Sequence, residues 1–389
     1  MHRIYLDYAA STPIDKKVEA AMKPYFSKIF GNPSSLHSFG QEASRAVFLA
    51  RQKIAAALGC DYKEIIFTGS ATEANNLALR GVVKQVNLKP RVILSSIEHE
   101  SINETCKYLE RCGVEVVRIP VSKEGFVSLE KLQAALSENT ILVSIIYANN
   151  EIGVIQDISK IFNLIKNFRK LRSPDCDLPT FYPLFHIDAS QAFQYLPCKV
   201  NELGVDLMTL SAHKIYGPKG IGLLYARQTT KLVSIITGAN QERGMRAGTE
   251  NVPAIVSFSK AIEIAEKMRA KESARIFKLR NYFLEKLKAN ISKIELNNNL
   301  EVGLPNILNI YFSQIKAHDL LIALDIKGIA ASAGSACQAR LVESSSIILA
   351  LGYDEKRAAS SVRFSLGRAT NKKDLDQTVK ELKNILLAL

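Results

Sequence analysis

Ser211-Ala212-His213-Lys214-Ile215-Tyr216-Gly217-Pro218-Lys219-Gly220-Ile221-Gly222 is the stretch whose reading decides the fold. It follows an apolar run over residues 205–210 that reads as a buried strand, and glycines and a proline close it. Open α/β sheets place their ligands outside the carboxyl ends of their strands, where this lysine falls. Partial desolvation there lowers a lysine's pKa and frees its amine as a nucleophile toward carbonyls. A lysine taken alone is far more often an exposed surface residue. Its neighbours must decide.

The first neighbour is Asp188, at the end of a second apolar run, Phe185-His186-Ile187-Asp188-Ala189-Ser190-Gln191. A lysine and an acid at two strand ends are the minimum equipment for pyridoxal phosphate (PLP): an amine to carry it and a carboxylate to keep its pyridine nitrogen protonated. Two more stretches add specificity. Thr68-Gly69-Ser70-Ala71-Thr72-Glu73-Ala74-Asn75-Asn76 lies upstream, and Ser332-Ala333-Gly334-Ser335-Ala336-Cys337 downstream. Together, and collinearly from Tyr5 to Gly367, these segments resemble the cysteine desulfurases of the class V aminotransferase group of PLP enzymes.

Bulk composition bounds the rest. A chain of 389 residues suggests two or three domains, and 47% apolar residues suffice for large cores. No apolar run reaches the roughly 18 to 20 residues of a membrane span. The N-terminus has no signal-peptide pattern and enters the fold at once, so a cytoplasmic enzyme is expected. The net charge of +13 suits an anionic cofactor or an acidic partner. No dense basic block with interleaved aromatics accompanies it, which argues against nucleic acid. Six cysteines are scattered without a CxxC pair, against a disulfide framework or structural zinc.

Along the chain, turn chemistry and periodicity alternate strands with helices. Helices are expected over 15–30, from Gly69-Ser70 to about residue 86, over 129–136, from Asp157 to about 170, from Pro253 to about 287, and over 317–327. Strands are expected over 64–67, 92–96, 115–119, 141–147, 223–227, 306–312 and 361–367. Residues 171–183, with three prolines, read as a surface insertion of open function. The small residues and hydroxyl at 69–72 suit either an anion site at a helix N-terminus or an ordinary cap.

The resemblance implies PLP fold type I: a mostly parallel seven-stranded sheet in a large domain (16–258) and a smaller C-terminal α+β domain (1–15 plus 259–389) carrying the cysteine loop. It implies that Lys214 carries PLP and moves the substrate's α-proton, that Asp188 faces the pyridine nitrogen, and that Gln191 bonds the ring hydroxyl. His99 would lie over the ring, and Asn150 beside the cofactor and the substrate carboxylate. Ala71, Thr72, Ser211 and His213 would hold the phosphate. Thr249 would reach the phosphate of a neighbouring subunit, which implies a homodimer. The family's glycine triplet is replaced here by Gly238-Ala239-Asn240. Arg363, an arginine between apolar strand neighbours, would bind the substrate's α-carboxylate.

Cys337 sits in a segment almost without bulk, which suits a travelling thiol, and Arg340 favours its thiolate. The implied function is L-cysteine desulfurase: sulfur leaves L-cysteine as a persulfide on Cys337, and L-alanine remains. A sulfur acceptor or iron–sulfur scaffold protein is the implied partner. No intrinsic metal is implied, although Cys337 could share a cluster transiently with such a scaffold. The alternatives are a selenocysteine lyase or aminotransferase of the same group, or an inactive sulfur-relay or scaffold-binding protein. A transaminase needs no nucleophilic thiol, and an inactive relay would not need Lys214, Asp188 and Arg363.

Overall fold

The computed structural model describes residues 3–85, 89–172, 178–179, 181–297, 299–334 and 344–388. A seven-stranded sheet runs in the spatial order Ile65–Thr68, Gly222–Ala226, Leu207–Ser211, Leu184–Asp188, Thr140–Ile146, Arg91–Ser95, Glu115–Ile119. All neighbouring pairs are parallel except those of Gly222–Ala226, which is antiparallel to both its neighbours. The four strands from residue 140 to 226 in the middle of the sheet are buried along their whole length. That explains why they read as mostly apolar runs rather than alternating ones.

Helices cover both faces. Ser38–Leu58 contributes Ala43, Val47, Ala50, Ile54 and Leu58 at helical spacing to one apolar cluster, with Phe67, Val143 and Phe185 from the sheet. Ala71–Val83 and Glu100–Arg111 pack Leu77, Leu79, Ile102 and Cys106 against Val92, Leu94 and Leu142 on the other face. A further cluster joins Ile4 and Leu6 to Ile310, Phe312, Val362 and Phe364. There a three-stranded antiparallel sheet, Ser361–Ser365, Ile307–Phe312 and Ile294–Leu296, provides the frame.

The helix Val252–Asn290 connects these cores. Its 39 residues span about 58 Å at 1.5 Å per residue. Its first half buries Ile255, Phe258 and Ile262 in the large sheet's cluster, and its second half buries Ile276, Phe283 and Leu287 in the other. Among the described residues, no helix is long and apolar enough to cross a membrane.

Two expectations need correction. The helix over 15–30 is two pieces, Lys16–Met22 and Pro24–Ser27, because Pro24 has no N–H to continue the first ladder. Residues 173–177 and 180 of the expected surface insertion 171–183 lie outside the described residues, and its described residues are not all on the surface. Leu178 and Tyr182 are buried in the cluster beneath it, and Arg172 donates to the Tyr182 and Glu138 carbonyls.

Candidate active site

A cavity of about 190 Å³ opens where three strands end on Ile146, Asp188 and Ser211. Lys214 follows in the turn Ala212–Lys214 and lines it. The lysine Nζ donates to the carbonyls of Ala9 at 2.6 Å and Ala10 at 2.9 Å. The same N-terminal segment is laced to the strand end: Thr12 donates its hydroxyl to the His213 carbonyl, and the Tyr216 N–H donates to Thr12 Oγ1. Tyr216 has φ +66°, a left-handed conformation uncommon for a bulky residue, and these bonds hold it.

Asp188 is only 5% exposed. Its Oδ1 accepts from the Ser190 N–H and its Oδ2 from Asn75 Nδ2, both at 2.9 Å. Asn75 also donates to Ser101 Oγ at 2.8 Å, and that hydroxyl meets His99 Nδ1 at 2.8 Å. Burial lowers the His99 pKa, the nearby Lys214 charge lowers it further, and Asp188 opposes them. His99 is therefore a neutral ring at pH 7. His213 is pushed down to about 4 by burial and then by Lys214. Behind Asp188 on the same strand, His186 bridges Ser144 and Thr209 and is likewise pushed down to about 4 by burial.

Ser70 caps the helix Ala71–Val83 by accepting the Glu73 N–H. The N–H groups of Ala71 and Thr72, first in the helix, have no acceptor within it. They line the cavity with Ser211 and His213 and give it an anion-binding corner. Gly222 makes this corner possible, since a Cβ there would lie 2.5 Å from the Ser70 carbonyl carbon.

Arg363 is 1% exposed and pairs with Asp7 Oδ1 at 2.7 Å, while donating to the Asn150 carbonyl at 2.8 Å. Its Nε is buried without a partner among the described residues. An incoming carboxylate would compete with Asp7 for this guanidinium. Asn150 and Gln191 line the same cavity, Gln191 donating to the Ala9 carbonyl.

Ten of the twelve expected site residues thus share one cavity: Ala71, Thr72, His99, Asn150, Asp188, Gln191, Ser211, His213, Lys214 and Arg363. Thr249 does not. It is exposed and lines a separate cavity with Glu242 and Arg246. The backbone there is held by the buried pair Arg51–Glu242, with Glu242 and Arg243 both at positive φ. Cys337 and Arg340 lie outside the described residues. Sequence reading missed Asn75, Ser101, Ser190 and the Ala9 and Ala10 carbonyls. Asn75 lies three residues after Thr72 and so on the same helix face, the one available signal.

Glu98, next to His99, is fully buried. It accepts from Ser95 Oγ at 2.5 Å and the Ile146 N–H at 2.8 Å, and burial pushes its pKa up to about 8. Between the unfolded value of about 4.3 and 8 the unfolded chain has lost this proton while the folded one keeps it. Stability therefore falls as pH rises through that window. Glu98→Gln, which cannot ionise, should melt increasingly above the parent from about pH 5 to pH 8 and no further beyond. Parallel melting curves across the range would refute a protonated Glu98.

Residues 4–378 match the family model described as aminotransferase class-V. The cysteine desulfurase IscS of Dictyoglomus turgidum is 43% identical over 384 residues, covering 98% of this chain and 94% of that protein. The chain belongs to the class-V aminotransferase family. Cysteine desulfurase IscS 1 of Archaeoglobus fulgidus is 40% identical over 386 residues, covering 98% of the chain and 96% of that protein. Among solved structures, a NifS-like protein superposes with a TM-score of 0.92 at 34% identity, each chain fully covered. The sheet described above is that of a PLP fold type I enzyme.

Class-V aminotransferases are PLP-dependent, and the cavity fits the group. It offers a lysine amine, a buried carboxylate fixed by two donors, and a helix N-terminus with free N–H groups for a phosphate.

Proposed function

We propose that in this cysteine desulfurase Lys214, Asp188 and Arg363 act on the substrate L-cysteine and Cys337 takes the sulfur. The observation that carries the reading is one cavity lined by amine, carboxylate, anion corner and carboxylate-binding guanidinium, in a chain 43% identical to a cysteine desulfurase.

PLP, when bound, supplies the electron sink that weakens the substrate's Cβ–Sγ bond. Asp188 would hold the proton on the pyridine nitrogen, its own orientation set by Asn75 and Ser190. The Ala71 and Thr72 N–H groups, with Ser211 and His213, would hold the phosphate. Neutral His99 would lie against the ring, and Gln191 would meet its hydroxyl. Arg363 would fix the α-carboxylate beside Asn150, and Lys214 would move the α-proton. The Cys337 thiolate attacks the substrate sulfur, the Cβ–Sγ bond breaks, and its electron pair passes to Cβ, which takes up a proton. One thiol and one cysteine give one persulfide and one L-alanine, with no outside oxidant.

Exposed Thr249, away from the cavity, supports a homodimer in which it completes the partner's phosphate site. The clusters on the two faces of the large sheet, separate from the one around Ile310 and Phe364, support a large domain over 16–258 and a small one of 1–15 plus 259–389, with Ile262 and Ala265 of the connecting helix packing on the large domain's side. The persulfide would pass to an acceptor such as an iron–sulfur scaffold protein, in the cytoplasm.

The test is equimolar alanine and sulfide release from L-cysteine by the PLP-loaded protein. Transamination without sulfur release would overturn the reading. Asp188→Asn should keep the fold and lose turnover by about 10²- to 10³-fold. A neutral amide cannot hold the ring proton, and its NH2 would face the Asn75 donor. Near-normal turnover would assign that role to another acid.

A further inference from the structure

Glu151 has no part in the chemistry above, yet it is 2% exposed and meets both sides of the chain interval that carries Cys337. On the downstream side, Ser345 donates its hydroxyl to Glu151 Oε2 at 2.6 Å, while the same hydroxyl caps the helix Ser346–Ala350 by accepting the Ile348 N–H. On the upstream side, Gly334 has φ +61°, and a Cβ on it would lie 3.2 Å from Glu151 Oε2 and 3.4 Å from Ser345 Cβ. Residues 334 and 345, eleven apart in sequence, therefore converge on one carboxylate.

The backbone of Glu151 is itself pinned. Its N–H donates to Asn149 Oδ1, its carbonyl accepts from Asn309, and the Asn149 amide donates to the Ile97 carbonyl. The preceding carbonyl, that of Asn150, accepts from Arg363. Arg363 in turn exchanges both backbone hydrogen bonds with Ser332, two residues before Gly334. The cavity's guanidinium and both sides of the cysteine-bearing interval thus share one hydrogen-bonded node.

We propose that Glu151 is a positioning residue for sulfur transfer: by holding Ser345 and closing on Gly334, it fixes the base from which Cys337 reaches the substrate sulfur. This rests on the assignment of Cys337 as sulfur acceptor. Glu151 is placed to act after cysteine is bound, since cysteine would be held by Lys214 and Arg363 while the Glu151 carboxylate holds Ser345, at the downstream end of the interval that carries Cys337. Its removal should therefore change the transfer step and spare binding.

The test uses the PLP-loaded full chain and four variants, Glu151→Ala, Glu151→Gln, Ser345→Ala and Glu151→Ala/Ser345→Ala. The single-turnover rate of persulfide formation on the Cys337 peptide is followed by mass spectrometry. Cysteine affinity is read from the cofactor's visible spectrum. Glu151→Ala and Ser345→Ala should each slow persulfide formation about tenfold or more, the scale of one hydrogen bond to a carboxylate. Cysteine affinity and PLP content should stay within about twofold, within the scatter of independent sites. Glu151→Gln keeps an acceptor for Ser345 and should recover most of the rate. The double variant should be no slower than the slower single one, because both remove the same bond.

Additive losses, a glutamine variant as slow as alanine, or weakened cysteine binding with an unchanged transfer rate would each overturn the proposal. So would variants that melt early but transfer sulfur at the parent rate. A wild type that places no sulfur on Cys337 overturns the desulfurase reading and this proposal with it. A wild type that does, beside variants that match it, overturns this proposal alone.

Discussion

Lys214→Ala is expected to abolish turnover and leave the fold in place. The lysine donates to the Ala9 and Ala10 carbonyls, but neighbouring bonds of Thr12 to His213 and Tyr216 hold the same segment without it. The loss is therefore chemical. Removing an amine that both carries the cofactor and moves the α-proton should cost about 10³-fold or more in kcat. Borohydride reduction of the wild type should fix PLP to the peptide bearing Lys214, and the alanine variant should hold PLP only reversibly. A reduced adduct on Lys219, five residues along the same turn-rich stretch, would overturn the assignment. His213 beside Lys214 cannot replace it as a carrier, because an imidazole has no primary amine to condense with a carbonyl.

The physics of burial decides how much of this was legible in the sequence. Strands 140–146, 184–188 and 207–211 could be read because both of their faces are covered, which leaves mostly apolar runs without alternation, two of them ending on a polar residue, Asp188 and Ser211. Those ends marked Asp188 and, three residues past Ser211, Lys214. The short pieces escaped. Ile294–Leu296, Ile329–Ala330, Ser346–Ala350 and Glu355–Ala359 are too brief for either period to register. The direction of Gly222–Ala226 was equally hidden, since a buried antiparallel strand has the same apolar run as a parallel one. Within the site, the lysine's partners are backbone carbonyls of Ala9 and Ala10, and no side-chain pattern announces a carbonyl. The Arg363–Asp7 pair joins residues 356 apart in sequence, a distance at which only the fold brings them together. Asn75 and Ser101, which hold Asp188 and His99 in one chain of hydrogen bonds, read as ordinary helix residues until the helices are packed.

Cys337→Ser is expected to separate the two halves of the reaction. The variant keeps Lys214, Asp188, Arg363 and the anion corner at Ala71 and Thr72, so cysteine should bind and perturb the cofactor's spectrum as in the parent. Sulfur has then nowhere to go, because a serine hydroxyl is a poor sulfur nucleophile and the thiolate is the reactive form. Alanine formation in a single turnover should fall by about 10³-fold or more, the scale on which removing an enzyme's nucleophile acts. The other described cysteines cannot stand in for it. Cys106 and Cys198 are buried and their thiols are pushed up to about 12 by burial, as is half-buried Cys60. Exposed Cys112 ends the helix Glu100–Arg111 and does not line the cavity. Mass spectrometry of the wild type should therefore find one added sulfur atom on the Cys337 peptide and none on these four. Full alanine release by the serine variant would place the chemistry with a transaminase-like relative. An adduct confined to Cys112 would move the acceptor to the surface and remove the role assigned to Cys337.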